Sequence, residues 1–208
     1  ETLRITRATS EKLFDFAFRL AGRRAAKRGT PGRVTCVDKA NVFRSFWFFR
    51  SIFEERAKAF PEIAADSAYV DAFAMWMVQK PWEFDVVVTE NMFGDILSDL
   101  GAGIMGSLGL APSADIGDEN AVFQPCHGSA PDIAGKGIAN PLAMFLSASL
   151  MLDWLAGEHD DAALTEGAVM IDDAVSRVIR EGKALTGDLG GSADTAATSE
   201  AVMKHLSA

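Results

Sequence analysis

Cysteine is scarce in this chain: Cys36 and Cys126 are the two in 208 residues, far apart and each without the nearby second Cys or His that metal and redox motifs need. They read as reduced thiols of a cytoplasmic protein, with no redox role. No apolar run reaches the roughly 18 residues of a membrane span, and the N-terminus lacks the charged-then-apolar pattern of a signal peptide. Positive charge is also short. Against 29 Asp and Glu stand 20 Lys and Arg, a net charge of -9, which argues against a nucleic-acid partner because phosphate binding depends on Lys and Arg. The one basic cluster, Arg19 to Arg33, reads as a solvated helix face and exit turn. Internal repeats and low-complexity tracts are absent, and so is a Gly-x-Gly-x-x-Gly loop opening a helix after a strand.

What is present is an ordinary globular composition, 49% hydrophobic and 24% charged, with chain enough for a substantial core. The sequence opens on Glu1 rather than Met, in a stretch (Thr2 to Ala8) that reads as the continuation of something longer. A fragment or a processed product is expected.

Helical spacing of Leu13, Phe14, Ala17, Phe18 and Ala21 predicts a helix over 10–27 capped by Ser10 and broken by Gly29 to Gly32. Val34 to Val37 reads as a strand, Phe43 to Phe60 as a helix ending before Pro61, and Ala68 to Val70 as a short strand leading into a helix that stops near Pro81. Phe84 to Val88 is another strand, followed by a helix capped by Asn91. Strand and helix thus alternate over the first hundred residues, the signature of an α/β fold. Residues 101–140 are Gly-rich and, apart from Ala121 to Phe123, without periodicity, so they read as ligand-binding loops. Helices follow at Leu142 to Leu155, Ala162 to Arg180 and Thr195 to Leu206.

Asp95 and Asp99 stand four residues apart on the helix after Val88. That spacing turns the chain by about 400° and climbs ~6 Å, so both carboxylates share one face. Like charges so placed cost about 0.2–0.5 kcal/mol unless something neutralises them. Two solvated acids near a helix N-terminus, or half of a hard-cation site, both satisfy the pattern. Lys39 and Asn41 sit where a strand turns into a helix, the place α/β folds present polar groups to ligands; a decorated turn fits as well. Asp71 opens a helix and is compatible with a simple cap. From Pro125 to Pro141 the glycines and prolines fix an unusual backbone path, while His127, Asp132 and Asn140 offer donors and acceptors, so a rigid loop and a nucleotide loop fit equally.

Taken together, Lys39 with Asn41, Tyr69 to Ala74, Thr89 to Asp99, Leu110 to Gly117, His127 to Pro141 and Asp188 to Ala193 resemble, in order and spacing, the isopropylmalate dehydrogenase branch of the metal-dependent decarboxylating 2-hydroxyacid dehydrogenases. The resemblance covers essentially the whole chain. It implies an isopropylmalate dehydrogenase-like α/β fold lacking its N-terminal half: residues 1–105 as a small domain with metal site and dimer interface, 106–208 as the C-terminal part of the cofactor domain.

By the same resemblance Asp71, Asp95 and Asp99 match three carboxylates that hold Mg²⁺ or Mn²⁺. Lys39 matches the lysine of proton transfer, with Asp71 beside it in the catalytic set, and Asn41 and Val42 match substrate contacts. Lys39, Asn41 and Asp71 reach into the partner's site in that family, which implies a homodimer. Val42, being apolar, suits an isopropyl group, although one such contact discriminates by only about 1–3 kcal/mol; tartrate and D-malate dehydrogenases of the same family stay open as alternatives. Retention of Lys39, Asp71, Asp95 and Asp99 argues against a non-catalytic subunit.

His127, Gly128, Ser129, Ala130, Asp132, Ile133 and Asn140 match the loop around the adenosine of NAD. Asp132 sits where the family's NAD users accept hydrogen bonds from the ribose, and a 2′-phosphate about 4 Å away would be repelled by ~4 kcal/mol at an effective dielectric near 20, less after screening. Gln124 departs from the usual Glu just ahead of that loop, a change expected to retune the cofactor end slightly. The N-terminal half that supplies the substrate arginines and the general acid in the family is missing, so the 208 residues alone are expected to be inactive.

Overall fold

The computed structural model describes residues 2–207. The chain falls into two compact units divided between Gly101 and Ala102.

In the first unit α1 (Arg7–Arg28) leads to β1 (Arg33–Asp38), α2 (Arg44–Ala57), β2 (Ala64–Tyr69), α3 (Val70–Gln79), β3 (Val86–Thr89) and most of α4 (Asn91–Met105), whose last turn belongs to the second unit. The strands form one parallel sheet in the order β2-β1-β3. Central β1 is buried on both faces, so its side chains feed two cores. One holds Val34 and Cys36 with Val86 and Val88 against Phe14, Phe18, Phe49, Ile52 and Phe53 of α1 and α2. The other holds Val37 with Ala68, Phe73 and Leu97, on the side of α3 and α4. Each large apolar side chain buried in this way contributes about 1.5–3 kcal/mol.

Several boundaries differ from the sequence expectation for local reasons. Thr6, not Ser10, caps α1 by accepting from Thr9 N–H, and Ser10 lies buried inside the helix with its hydroxyl donating to Thr6 O at 2.8 Å. Gly29 ends that helix with φ 67°, the left-handed turn glycine adopts freely. β2 begins at Ala64 and is mostly exposed; a polar edge strand, Ala-Ala-Asp-Ser-Ala-Tyr, has no apolar alternation to betray it. Val70 belongs to α3 rather than to that strand. Asn91 is the first residue of α4, and the carboxylate of Glu90 accepts from Met92 N–H at 2.7 Å.

The second unit holds a hairpin of β4 (Pro112–Ile116) and β5 (Ala121–Pro125), then α5 (Leu142–His159), α6 (Ala162–Glu181) and α7 (Thr195–Leu206). β4 falls inside the stretch read as loop from sequence, because Pro-Ser-Ala-Asp-Ile does not alternate. Leu142, Ala174, Val175, Val178 and Val202 form the core between the helices. Ser149 of α5 donates to Ala168 O of α6 at 3.0 Å, so a buried hydroxyl is satisfied across the helix pair.

Candidate active site

All three parallel strands of the first unit run the same way, and their carboxyl ends coincide: Asp38 pairs with Tyr69, and Val37 with Thr89. The chain leaves β1 for β2 on one side and returns to β3 on the other, so β1 ends at the switch point where open α/β sheets bind ligands. Lys39 follows β1 directly, Asp71 lies two residues beyond β2, and α4 with Asp95 and Asp99 opens two residues beyond β3.

Lys39 Nζ donates to Asp71 Oδ1 in a short charge-assisted bond. Lys39 is three-quarters buried whereas Asp71 is largely exposed. That hydrogen bond holds the Asp71 carboxyl below the usual carboxylate range, with help from its own backbone N–H.

Sequence reasoning missed what fixes the Lys39 turn. Asp38, 0% exposed, accepts from Ala40 N–H at 2.7 Å and from Arg50 Nε and Nη2 at 2.8 and 2.7 Å. The guanidinium also lies over the Tyr69 ring, 4.9 Å from its centroid. Val42 and Phe43 N–H both bond back to Lys39 O, at 3.0 and 3.1 Å, closing the turn into α2. The available signal was a carboxylate closing a buried strand, which demands a cation. Burial, reinforced by the Asp38 charge, pushes the neighbouring Cys36 thiol well up, so it stays protonated.

Asn41, Val42, Asp95 and Asp99 are exposed. On α4 Leu97 and Leu100 turn to the core, while Met92 and Ile96 are 55% and 59% exposed. No three His, Cys, Asp or Glu among the described residues come together to hold a metal ion, so a single chain does not gather Asp71 with Asp95 and Asp99. The donor set itself, three carboxylates, is of the kind that suits Mg²⁺ or Mn²⁺.

The second unit contains a cavity of about 880 Å³, within the size range of nucleotide and cofactor pockets. His127, Gly128, Ser129, Ala130, Ile133 and Asn140 line it; Asp132 does not and is exposed on the one-turn helix Pro131–Ile133. Ala130 has φ 45°, a left-handed conformation that costs a non-glycine residue on the order of 1 kcal/mol, and Gly135 and Gly137 share it without that cost. His127 Nδ1 lies 2.9 Å from Gly128 O. Thr195 ties the loop to α7, its N–H and hydroxyl donating to Gly137 O and Ala139 O at 2.8 and 2.5 Å.

The family model for isocitrate/isopropylmalate dehydrogenase matches residues 1–204. The chain belongs to that family. It is 49% identical over 203 residues to 3-isopropylmalate/3-methylmalate dehydrogenase of Methanocaldococcus jannaschii, covering 97% of this chain and 58% of that one. Isocitrate/homoisocitrate dehydrogenase of Thermus thermophilus is 47% identical, with 97% and 57% covered. The crystal structure of isocitrate dehydrogenase from Methylococcus capsulatus superposes with a TM-score of 0.88 at 41% identity, over 99% of this chain and 58% of that chain. The α/β architecture is thus that of the family, and the chain spans just over half the length of the relatives it matches.

Further residues on the cavity wall of this family member come from outside the loop: Ser107, Gly109, Asp188 and Ser192. Asp188 and Ser192 fall in the Asp188 to Ala193 stretch already noted in the sequence, whereas Ser107 and Gly109 carried no signal there. Partial burial alone would raise the Asp188 carboxyl, but hydrogen bonds from Ser107, Thr186 and Asn140 outweigh it and hold the group below the usual range. Gln124 is not on the wall; its amide donates to Asp115 across the hairpin at 3.4 Å. No helix among the described residues is long and apolar enough to cross a membrane.

Proposed function

We propose that this chain carries the metal carboxylates, the proton-transfer lysine and the adenosine loop of an NAD- and Mg²⁺/Mn²⁺-dependent dehydrogenase that oxidises and decarboxylates a malate-type 2-hydroxyacid, with 3-isopropylmalate as the first candidate. The observation that carries this reading is the meeting of Lys39 and Asp71 at the carboxyl edge of the sheet, beside the start of α4.

In this reading a base linked to Lys39, which is set by the turn that Asp38 and Arg50 fix, takes the proton from the substrate hydroxyl, and Asp71 orients the Lys39 side chain. Asn41 supplies a polar contact and Val42 an apolar wall for the substrate's side group. Asp71, Asp95 and Asp99 would hold the divalent ion, which when bound draws electron density from the substrate's oxygens and stabilises the enolate left by loss of CO₂. The cavity of the second unit takes the adenosine end of NAD, and Asp132 at its rim receives the ribose hydroxyls and repels a 2′-phosphate.

A homodimer supplies the remaining geometry. Met75 and Val78 on α3 and Met92 and Ile96 on α4 are half-exposed or more in the single chain, an apolar surface that a second copy would cover while bringing its Asp71 to Asp95 and Asp99.

The test is an assay of the full-length protein with NAD and Mn²⁺ on 3-isopropylmalate, D-malate, tartrate and, because a relative bears that name, isocitrate and homoisocitrate. Turnover of 3-isopropylmalate supports the reading; inertness on it with turnover of another substrate replaces the first candidate. The 208 residues alone are expected to form no NADH, and detectable NADH would show that they hold a complete site.

A further inference from the structure

The cavity of the second unit is assembled from residues 107–109, 127–140 and 187–193, and one carboxylate joins these stretches. Asp188 Oδ2 accepts from Ser107 Oγ and, at 2.9 Å, from Asn140 Nδ2, while Oδ1 accepts from Thr186 Oγ1 at 2.5 Å. Asn140 is held at its other end too, where Oδ1 accepts from Leu142 N–H at 3.0 Å. A carboxylate only accepts and a backbone N–H only donates, so the amide cannot turn over. Space is equally restricted: a Cβ on Gly109 would stand 2.7 Å from Asn140 Cβ and 2.8 Å from Asp188 Oδ2.

We propose that Asp188 is a positioning residue for base recognition, fixing the Asn140 amide so that the cavity prefers adenine to a base whose donor and acceptor are exchanged. The inference rests on the reading of this cavity as the adenosine site. With one N–H given to Asp188 and one carbonyl lone pair taken by Leu142, Asn140 keeps one donor and one acceptor for a ligand. On its Watson–Crick edge adenine offers the acceptor N1 beside the exocyclic amino donor, the same acceptor-and-donor pattern that asparagine reads on the N7 side of adenine in DNA. Hypoxanthine offers a ring N–H beside a carbonyl and matches only the reversed amide. An unrestrained asparagine would serve both by rotating; one pinned by Asp188 serves one.

The test is calorimetric titration of the full chain with NAD⁺ and with nicotinamide hypoxanthine dinucleotide, for the unaltered chain, Asp188→Asn, Asn140→Ala and the double variant. The unaltered chain should favour NAD⁺ by about ten-fold, the weight of one hydrogen bond. Asp188→Asn should erase most of that preference, and in the Asn140→Ala background it should change the ratio no further. A carboxylate that merely stabilises the loops would weaken both ligands alike, so an unchanged ratio overturns the proposal, as does an equal effect with and without Asn140. Should Asp188→Asn fail to fold, Thr186→Val loosens the same carboxylate without touching Asn140, and the ratio is read in the same way. An unaltered chain that binds neither dinucleotide overturns the adenosine reading itself, a result distinct from binding with an unchanged ratio.

Discussion

Arg50 grips the buried Asp38 with two parallel hydrogen bonds, Nε to Oδ2 at 2.8 Å and Nη2 to Oδ1 at 2.7 Å, and this pair stands directly behind Lys39. Arg50→Met leaves the carboxylate buried without its cation and is expected to destabilise the first unit by about 3–5 kcal/mol. Arg50→Lys should recover only part of that, since an ammonium cannot reproduce the planar two-point contact. Urea unfolding of the three proteins, followed by circular dichroism, checks both statements; equal stability of the Met variant and the unaltered chain would refute the first.

Glycine-to-alanine substitution should act with opposite sign at two positions. A Cβ on Gly191 would lie 1.9 Å from Leu185 O, a backbone atom that cannot step aside, so Gly191→Ala is expected to cost on the order of 3 kcal/mol or more. A Cβ on Gly103, inside α4, meets nothing within 4 Å, and Gly103→Ala should stabilise by about 0.5–1 kcal/mol through helix propensity. Thermal unfolding of the two variants should move the midpoint in opposite directions.

Acid should remove stability through two carboxylates. Asp71 is held down by Lys39, and Asp188 by hydrogen bonds that overcome its desolvation, so both bind a proton less readily folded than unfolded. An unfolded aspartate titrates near pH ~3.9, so their contribution is complete above that value and is lost as pH falls through the lower folded pKa. The chain should therefore show a fall in urea midpoint below about pH 4, carried more by the partly buried Asp188 than by the exposed Asp71. Asp188→Asn should flatten that limb, and an unaltered slope would contradict the assigned protonation.

Much of this was legible in the sequence because the informative residues are local. The central strand and the helices that cover it announce themselves through Val34, Phe14, Phe18 and their periodic neighbours, all buried. The edge strand at Ala64 and the hairpin strand at Pro112 do not, because neither buries an alternating face. The same division holds at the sites. Lys39, Asp71, the loop from His127 to Asn140 and the stretch from Asp188 were found as motifs, whereas the grip of Arg50 on Asp38 and the link of Asp188 to Asn140 join residues 12 and 48 apart in the chain. A residue whose meaning is a distant hydrogen bond carries no mark in its neighbours.

The Asp95 and Asp99 pair allows two opposing effects to be separated. Without metal, the two exposed charges repel along one face of α4, and Asp95→Asn or Asp99→Asn should stabilise the helix by about 0.2–0.5 kcal/mol in the presence of chelator. If the pair supplies ligands, the same substitutions should weaken Mn²⁺ binding by at least about ten-fold, since even a residue behind a ligand is worth that much. Unfolding in EDTA reads the first effect, and a paramagnetic resonance titration of Mn²⁺ into the full-length protein reads the second. Two acids that merely face water would give the small gain in stability and leave Mn²⁺ affinity untouched. Loss of affinity together with gain in metal-free stability is expected, because the repulsion that burdens the empty helix is the field that draws the cation.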